Sequence, residues 1–312
     1  MAKQSLRHAF AQALVEIGKK NQKVVALEAD LQDSTQSIQF MKAFPERYIQ
    51  VGIAEQNMMG LAAGLALSGK IPVTHTFACF ASMRACEQVR TSIAYPRLNV
   101  KIFVSHCGVS AGTAGTSHHA IEDMAIMRAI PNMTVIAPGD AREMQQAAKA
   151  AIDHDGPVYI RCGAGDAEDV HIDQHKFEIG KATLLREGKD ATIISTGQLM
   201  YEAVIASDEL RKDGITIRVL QMATIKPIDC QAIKRAAEET GAIITIEEHN
   251  VIGGLGSAVA EVVAETGKGR VRILGIKDRF SDVGTAPYIL AQENISTQDI
   301  IVNIQELIRA KK

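Results

Sequence analysis

Residues 48–69 read YIQVGIAEQNMMGLAAGLALSG, an apolar strand that runs into a helix rich in small residues. The pattern predicts a buried strand at 48–53 and a helix at 55–68, with Glu55 at their junction. A carboxylate at the start of a helix can simply complement the helix dipole. Alternatively, Glu55 projects from the carboxyl edge of a parallel sheet, where ligands of open α/β folds bind. The residues alone leave both interpretations open.

The same alternation of apolar runs and helical patterns extends along the chain in both directions. Strands are predicted at 24–27, 48–53, 71–74, 100–105, 134–137 and 158–161, and helices at 55–68, 80–94, 120–130 and 140–153. Charged and turn residues then dominate as far as 190. Beyond them, strands at 191–196, 215–220, 242–247 and 271–276 alternate with helices at 200–212, 229–239 and 254–265. We therefore expect an α/β fold of two domains, each a mostly parallel sheet flanked by helices, divided into 1–165, a linker at 166–190, and 191–312.

Composition and charge restrict the classes of partner. The 312 residues include 36 acidic and 34 basic ones, which give a formal net charge of −2. Nucleic acids and acidic membranes attract concentrated positive charge, so neither is expected as a main partner. Five cysteines without a CxxC pair argue against a disulfide framework or a cysteine-based zinc site. No uninterrupted apolar stretch of about 20 residues could span a bilayer, and we expect a cytoplasmic protein.

Two aromatic residues stand at a second junction between a strand and a helix. Residues 74–90, THTFACFASMRACEQVR, carry Phe77 and Phe80 three positions apart. Such a pair can be an ordinary part of the hydrophobic core. It can also form a stacking surface for a flat heterocycle.

A histidine-rich loop follows the next predicted strand. Residues 105–123, SHCGVSAGTAGTSHHAIED, contain His106, His118 and His119 among small and polar residues. A zinc site and a catalytic Cys107–His dyad are two possible interpretations, but neither has a supporting motif. Histidines that bind the hydroxyls of a polar substrate or transfer its protons fit the pattern better.

Several of these stretches together resemble the C-terminal half of transketolase. The stretches are VGIAEQNMMGLAAGLA (51–66), HTFACFASMRACEQVRTSIAY (75–95), SHCGVSAG (105–112), HHAIEDMAIMRAIPNMTVIAPGDA (118–141) and IRVLQMATIKPID (217–229). In order and spacing the resemblance covers almost the whole chain. It implies a pyrimidine-binding domain followed by the transketolase C-terminal domain, with thiamine diphosphate as the cofactor.

The resemblance also implies roles for residues near the cofactor. Glu55 matches the catalytic glutamate that activates the cofactor through its aminopyrimidine ring. Phe77 and Phe80 match the aromatic wall around that ring, with Phe80 expected to stack directly. His118 stands where a glutamine near the cofactor is common in the family.

Other matches concern the substrate. His106 matches a catalytic histidine that binds the ketose hydroxyls, while Arg7 and Ser34 match positions that hold the sugar-phosphate end. Two departures are Ala114, where an aspartate is usual, and Ala164, where a second phosphate-binding arginine is usual. We therefore expect a ketose or an acceptor other than the standard pentose phosphates.

One part of the family's site has no counterpart in this sequence. Thiamine enzymes bind the diphosphate through Mg²⁺ held by a GDG…N motif in a separate domain, and no GDG occurs here; Gly139-Asp140 is followed by Ala141. We expect no metal site in this chain. The resemblance then implies one subunit of a split transketolase, completed by an N-terminal subunit that carries the diphosphate and Mg²⁺, in an α₂β₂ assembly acting on sugar phosphates.

Three alternatives remain at this point. The β subunit of a 2-oxoacid dehydrogenase shares the architecture and the split arrangement, but its corresponding loop differs from SHCGVSAG. A half of deoxyxylulose-5-phosphate synthase would carry a similar GIAEQ motif. A non-catalytic scaffold would account for Ala114 and Ala164, although it would not need Glu55 beside two phenylalanines.

Overall fold

The computed structural model describes residues 3–171 and 174–311. The strands are β1 (Lys3–Ser5), β2 (Val24–Glu28), β3 (Tyr48–Gln50), β4 (Ile71–Phe77), β5 (Lys101–Ser105), β6 (Thr134–Ile136), β7 (Val158–Arg161), β8 (Asp166–Glu168), β9 (Thr183–Arg186), β10 (Ala191–Ser195), β11 (Ile217–Gln221), β12 (Thr224–Lys226), β13 (Ala242–Asn250) and β14 (Arg270–Ile276). The α-helices are α1 (Leu6–Lys20), α2 (Gln32–Thr35), α3 (Ile38–Ala43), α4 (Glu55–Leu67), α5 (Cys86–Gln88), α6 (Asp123–Ala129), α7 (Ala141–Asp153), α8 (Met200–Lys212), α9 (Cys230–Glu239), α10 (Leu255–Thr266), α11 (Ala286–Gln292) and α12 (Thr297–Lys311).

The larger sheet has the strand order β12-β6-β7-β5-β4-β2-β3. All its pairings are parallel except that of β12 with β6. Strands β2, β5 and β7 are buried along their whole length, as expected for a parallel sheet covered on both faces. Phe10 of α1 and Met144 of α7 belong to the cluster on one face, and Met58 of α4 belongs to the cluster on the other.

The smaller sheet has the strand order β14-β13-β10-β11-β9, with only β9 antiparallel to its neighbour. Helices α8 and α12 supply Leu210 and Ile304 to the core on one face. On the other face, α9 and α10 supply Ile233 and Val259 to the same hydrophobic cluster that contains Met58 of the first half. The predicted α/β architecture with two mostly parallel sheets flanked by helices is confirmed.

Most predicted elements are present with shifted ends. The predicted strand 48–53 ends at Gln50, because Gly52 takes a positive φ of 74°. The predicted strand 71–74 extends to Phe77, so that its last residue lies beside Ser105 of β5 at the carboxyl edge of the sheet.

The segment predicted as one helix at 80–94 is instead two π-helical turns, Phe80–Arg84 and Val89–Ala94, separated by α5. The amide of Ala85 donates to the carbonyl of Phe80 at 3.1 Å, five residues back rather than four. The hydroxyl of Ser82 donates to the carbonyl of Ala78 at 2.7 Å, a contact that bends helices. Turns of this kind are frequent at functional sites.

The segment predicted as a linker, 166–190, contains two short strands. Strand β8 pairs antiparallel with β1, and β9 forms the edge of the smaller sheet. The division into 1–165, 166–190 and 191–312 stays a prediction. In the part of the chain that the structure describes, no helix combines the length and apolar character needed to cross a membrane.

Candidate functional site

Glu55 is the first residue of α4, and its side chain is buried with 1% of its surface exposed. One carboxylate oxygen, Oε2, accepts a hydrogen bond from Arg84 Nη1 at 2.8 Å. The other, Oε1, is buried and has no hydrogen-bond partner among the described residues. A role as a simple dipole partner does not require such burial, because an exposed carboxylate does the same at lower desolvation cost. The free oxygen therefore marks a place where a ligand can donate a hydrogen bond.

The two phenylalanines stack against each other, and Arg84 connects Phe80 to this carboxylate. The ring centroids of Phe77 and Phe80 are 5.8 Å apart with an interplanar angle of 17°. The guanidinium of Arg84, which pairs with Glu55, lies 4.2 Å from the centroid of Phe80. Arg84 was not predicted as a site residue, although its position four residues after Phe80 was a signal that the two side chains would share a helical face.

Two histidines of the 105–123 loop lie against the same rings. The ring of His106 lies 3.9 Å from that of Phe77, and the ring of His118 lies 5.5 Å from that of Phe80. Because Phe77 ends β4 and His106 follows β5, adjacent parallel strands bring these residues together at one edge of the sheet.

His106 is held in a specific orientation and charge state. It is a non-glycine residue with a positive φ of 59°, a conformation found preferentially at functional sites. Its Nδ1 lies 2.9 Å from the hydroxyl of Ser105. Burial, together with the electrostatic influence of Arg7 and His118, lowers the pKa of His106 to about 4. A neutral imidazole of this kind can exchange hydrogen bonds with hydroxyl groups.

Arg7 connects the positions predicted for the sugar-phosphate end. Its two terminal nitrogens donate to the backbone carbonyls of Ser34 and Ala164, at 2.8 and 2.5 Å. The contact with Ser34 is made by its backbone carbonyl and not by its hydroxyl, so its role at the substrate stays a prediction. Ala114 lies at the end of a 3₁₀ turn in the histidine loop and is exposed.

Neither alternative for the histidine loop is supported by the geometry. His119 is buried and places its Nε2 3.1 Å from the carbonyl of Gly112. His118 places its Nδ1 2.9 Å from the hydroxyl of Ser117. Burial raises the pKa of the Cys107 thiol well above its ordinary value, which opposes the thiolate that a nucleophilic dyad requires.

Sequence comparison identifies the family. The family profile described as "Transketolase, pyrimidine binding domain" matches residues 2–167, and "Transketolase, C-terminal domain" matches residues 180–300. The chain belongs to the transketolase family. It corresponds to the C-terminal section of that family, as expected from the motifs.

Several transketolase relatives of this chain are named as subunits. The chain is 43% identical over 306 residues to a 6-deoxy-6-sulfo-D-fructose transketolase subunit of Clostridium sp. (strain MSTE9), covering 98% of this chain and 95% of that protein. It is 40% identical over 304 residues to an apulose-4-phosphate transketolase subunit of Phocaeicola vulgatus, covering 97% of each. A solved structure described as a split-gene transketolase, inactive β4 tetramer, is 46% identical with a TM-score of 0.91, covering 98% of this chain and 99% of that one.

The Gly139–Asp140 pair does not provide the diphosphate site that transketolases need. One oxygen of Asp140 caps α7 by accepting from the amide of Glu143 at 2.9 Å. The other accepts from the amide and the imidazole of His171, each at 2.9 Å. Both oxygens are therefore occupied by protein donors, and these residues do not fit a magnesium diphosphate.

The second half of the chain holds the histidine loop of this transketolase section in place. Glu248 of β13 accepts a hydrogen bond from the amide of Val109 at 2.8 Å. Gly108 has a positive φ of 60°, and a Cβ at this position would lie 2.4 Å from Cγ of Glu248. The close approach requires glycine, so the smaller sheet contributes to the shape of the site.

Proposed function

We propose that this chain is the C-terminal subunit of a split transketolase that depends on thiamine diphosphate and moves a two-carbon ketol unit from a ketose phosphate to an aldose. The observation that carries the proposal is the buried Glu55 with one free carboxylate oxygen, connected through Arg84 to the aromatic pair Phe77 and Phe80. These residues fit an aminopyrimidine, since a flat ring needs an apolar face and its ring nitrogen needs a carboxyl partner.

Each residue of the site then has a distinct task. When bound, thiamine diphosphate supplies the electron sink for cleavage of the bond beside the ketose carbonyl. Glu55 holds a proton at the pyrimidine through its free oxygen. Phe80 supplies a face for the ring, Phe77 closes the wall behind it, and His118 contacts the edge of that wall. His106, neutral above pH 4, binds ketose hydroxyls and accepts or donates a proton at them.

The anionic end of the substrate is proposed to bind at Arg7. Its guanidinium is oriented by the carbonyls of Ser34 and Ala164, and arginine pairs well with phosphate and other oxyanions. Ala114 and Ala164 remove two side chains that transketolases commonly place in this region. We therefore expect donor and acceptor preferences other than those for xylulose 5-phosphate and ribose 5-phosphate.

An N-terminal subunit is proposed to complete the site with the diphosphate and Mg²⁺. The sequence contains no GDG, and Asp140 is already engaged within this chain. Helix α4 offers a surface for such a partner: Leu61 is exposed, and no described atom lies within 4 Å of a Cβ built on Gly60 or Gly64. Packing within this chain thus does not require either glycine, whereas the close approach of another helix would. Two such pairs would form α₂β₂.

A reconstitution experiment tests this function. The purified chain would be mixed with a GDG-containing N-terminal subunit, thiamine diphosphate and Mg²⁺, and products would be analysed after incubation with ketose phosphates and aldoses. We expect ketol transfer by the mixture and none by either subunit alone. Decarboxylation of a 2-oxoacid with acylation of a lipoyl domain would favour the dehydrogenase subunit instead. Normal assembly and cofactor binding without turnover of any substrate would favour the scaffold.

A further inference from the structure

Three buried polar atoms converge at a place outside the proposed active site. They are Oε1 of Glu143, in the first turn of α7, and Nε2 of His171 and His175, in the segment after β8. Their side chains are 0%, 1% and 3% exposed, and candidate ligand atoms of the three residues lie within 4.8 Å of one another. Within residues 3–171 and 174–311, none of the three atoms has a hydrogen-bond partner.

The surrounding hydrogen bonds determine which lone pairs face the centre of this cluster. Asp140 Oδ2 accepts from the amides of Val170 and His171, so it is an acceptor toward Nδ1 of His171, 2.9 Å away. His171 therefore carries a hydrogen on Nδ1, and in the neutral ring the lone pair on Nε2 faces Glu143 Oε1 at 3.6 Å. Oε2 of Glu143 is occupied by the amide of Gly139 at 2.7 Å. Acceptors that face each other in a buried site repel unless a proton or a metal cation lies between them.

The two distances from Glu143 Oε1 match a metal site better than a hydrogen-bonded one, and the rings of His171 and His175 are stacked with their centroids 3.8 Å apart. Glu143 Oε1 lies 3.6 Å from Nε2 of His171 and 3.7 Å from Nε2 of His175, too far for hydrogen bonds. Ligands about 2.0–2.1 Å from a tetrahedral Zn²⁺ are separated by about 3.3–3.4 Å, close to these values. The carboxylate of Asp140 behind His171 is the second partner that metal-binding histidines usually have.

A proton on His171 is the competing explanation, and it satisfies only part of the cluster. A hydrogen on Nε2 of His171 would face Glu143 Oε1 across 3.6 Å, longer than a hydrogen bond. Nε2 of His175, 3.7 Å from the same oxygen, would still have no partner among the described residues.

We propose that Glu143, His171 and His175 bind one divalent transition-metal ion of the Zn²⁺ class. Two imidazole nitrogens and one carboxylate oxygen suit Zn²⁺ rather than Mg²⁺ or Ca²⁺, and a water molecule would complete the coordination. The ion would attach the segment after β8 to α7. This site is distinct from any diphosphate-bound Mg²⁺ and was not expected from the sequence, although two histidines four residues apart in HIDQH (171–175) were an available signal.

Metal titration of the whole chain tests the proposal. The tag-free chain, stripped with EDTA, would be titrated with Zn²⁺ against a chromophoric chelator, and with Co²⁺ while its visible spectrum is recorded. We expect one Zn²⁺ per chain and an intense four-coordinate Co²⁺ spectrum. His175→Asn should weaken Zn²⁺ binding at least about 100-fold, whereas His8→Asn, an exposed histidine elsewhere, should not.

Two results would overturn the site. One is a folded wild-type chain that binds no stoichiometric Zn²⁺ and gives only the weak spectrum of hydrated Co²⁺. The other is a His175→Asn variant, with unchanged circular dichroism, that binds Zn²⁺ as tightly as the wild type. Because the titrations use no thiamine diphosphate and no substrate, their outcome is independent of ketol transfer. The wild-type Co²⁺ spectrum decides the case if the variant fails to fold.

Discussion

Replacing Glu55 by glutamine should abolish most activity without destabilising the chain. The substitution keeps the size of the side chain and removes its charge. Without a carboxyl group, the residue cannot exchange a proton with the pyrimidine, and losing a positioned acid–base group costs about 10²- to 10⁴-fold in turnover. We therefore expect the ketol-transfer rate of the reconstituted complex to fall by about this factor.

The effect on stability follows from the surroundings of the carboxylate. Glu55 is almost fully buried and its Oε1 has no partner in the described chain, so an amide in its place breaks no hydrogen bond at that atom. The favourable contact is the hydrogen bond from Arg84, and glutamine keeps an oxygen that can accept it. Because the side chain of Arg84 is 45% exposed and water screens its charge, losing the charge of Glu55 should cost at most about 1 kcal/mol. The free energy of unfolding should therefore fall by no more than about 1 kcal/mol.

The assay compares turnover with urea unfolding for Glu55→Gln and for a matched control. Glu87→Gln makes the same change of charge at an exposed residue of α5 and should leave both quantities unchanged. Wild-type turnover in Glu55→Gln would refute the role of the residue. Loss of turnover together with a clear fall in the free energy of unfolding would show that Glu55 only supports the fold.

Three further predictions concern the wall, the loop and the pH dependence. In calorimetry of the reconstituted complex, Phe80→Ala should raise the dissociation constant for thiamine diphosphate about two- to tenfold, because one aromatic contact contributes about 0.5–1.5 kcal/mol. Phe280→Ala, at an exposed position, should leave it unchanged. Gly108→Ala should reduce both turnover and the free energy of unfolding more than Gly214→Ala does. Both glycines have a positive φ, but a Cβ on Gly108 would collide with Glu248, whereas no described atom lies within 4 Å of a Cβ on Gly214. Equal effects of the two substitutions would contradict the close contact of Gly108 with Glu248. The pKa of His106 is lowered to about 4 in the folded chain, so this residue takes up a proton at a higher pH in the unfolded chain than in the folded one. Stability measured by urea unfolding should fall between pH 6.5 and 4, and His106→Asn should reduce that fall; an unchanged pH profile would contradict the assignment.

Much of the fold could be predicted because parallel strands are continuous apolar runs. The strand 158–161 and the helix 200–212 match the structure in both ends. The same topology explains why candidate residues distant in sequence meet: the carboxyl ends of β4 and β5 are neighbours, which brings Phe77 beside His106.

The features that were missed depend on interactions between distant parts of the chain. Strand β12 belongs to the larger sheet although it follows β11 of the smaller one, and its three residues carry no periodicity that reveals this. The π-helical turns around α5 arise from hydrogen bonds five residues apart, which the apolar pattern does not encode. The pair of Arg84 with Glu55 and the contact of Glu143 with His171 each require the folded sheet.

The central claim is that this chain holds only the pyrimidine side of a thiamine diphosphate site. The most direct test is calorimetric titration of thiamine diphosphate with Mg²⁺ into the purified chain, alone and mixed with a GDG-containing N-terminal subunit. We predict saturable binding of thiamine diphosphate in the mixture and none by this chain alone. Tight binding by this chain alone would contradict the account, because it would require a diphosphate site within the chain itself.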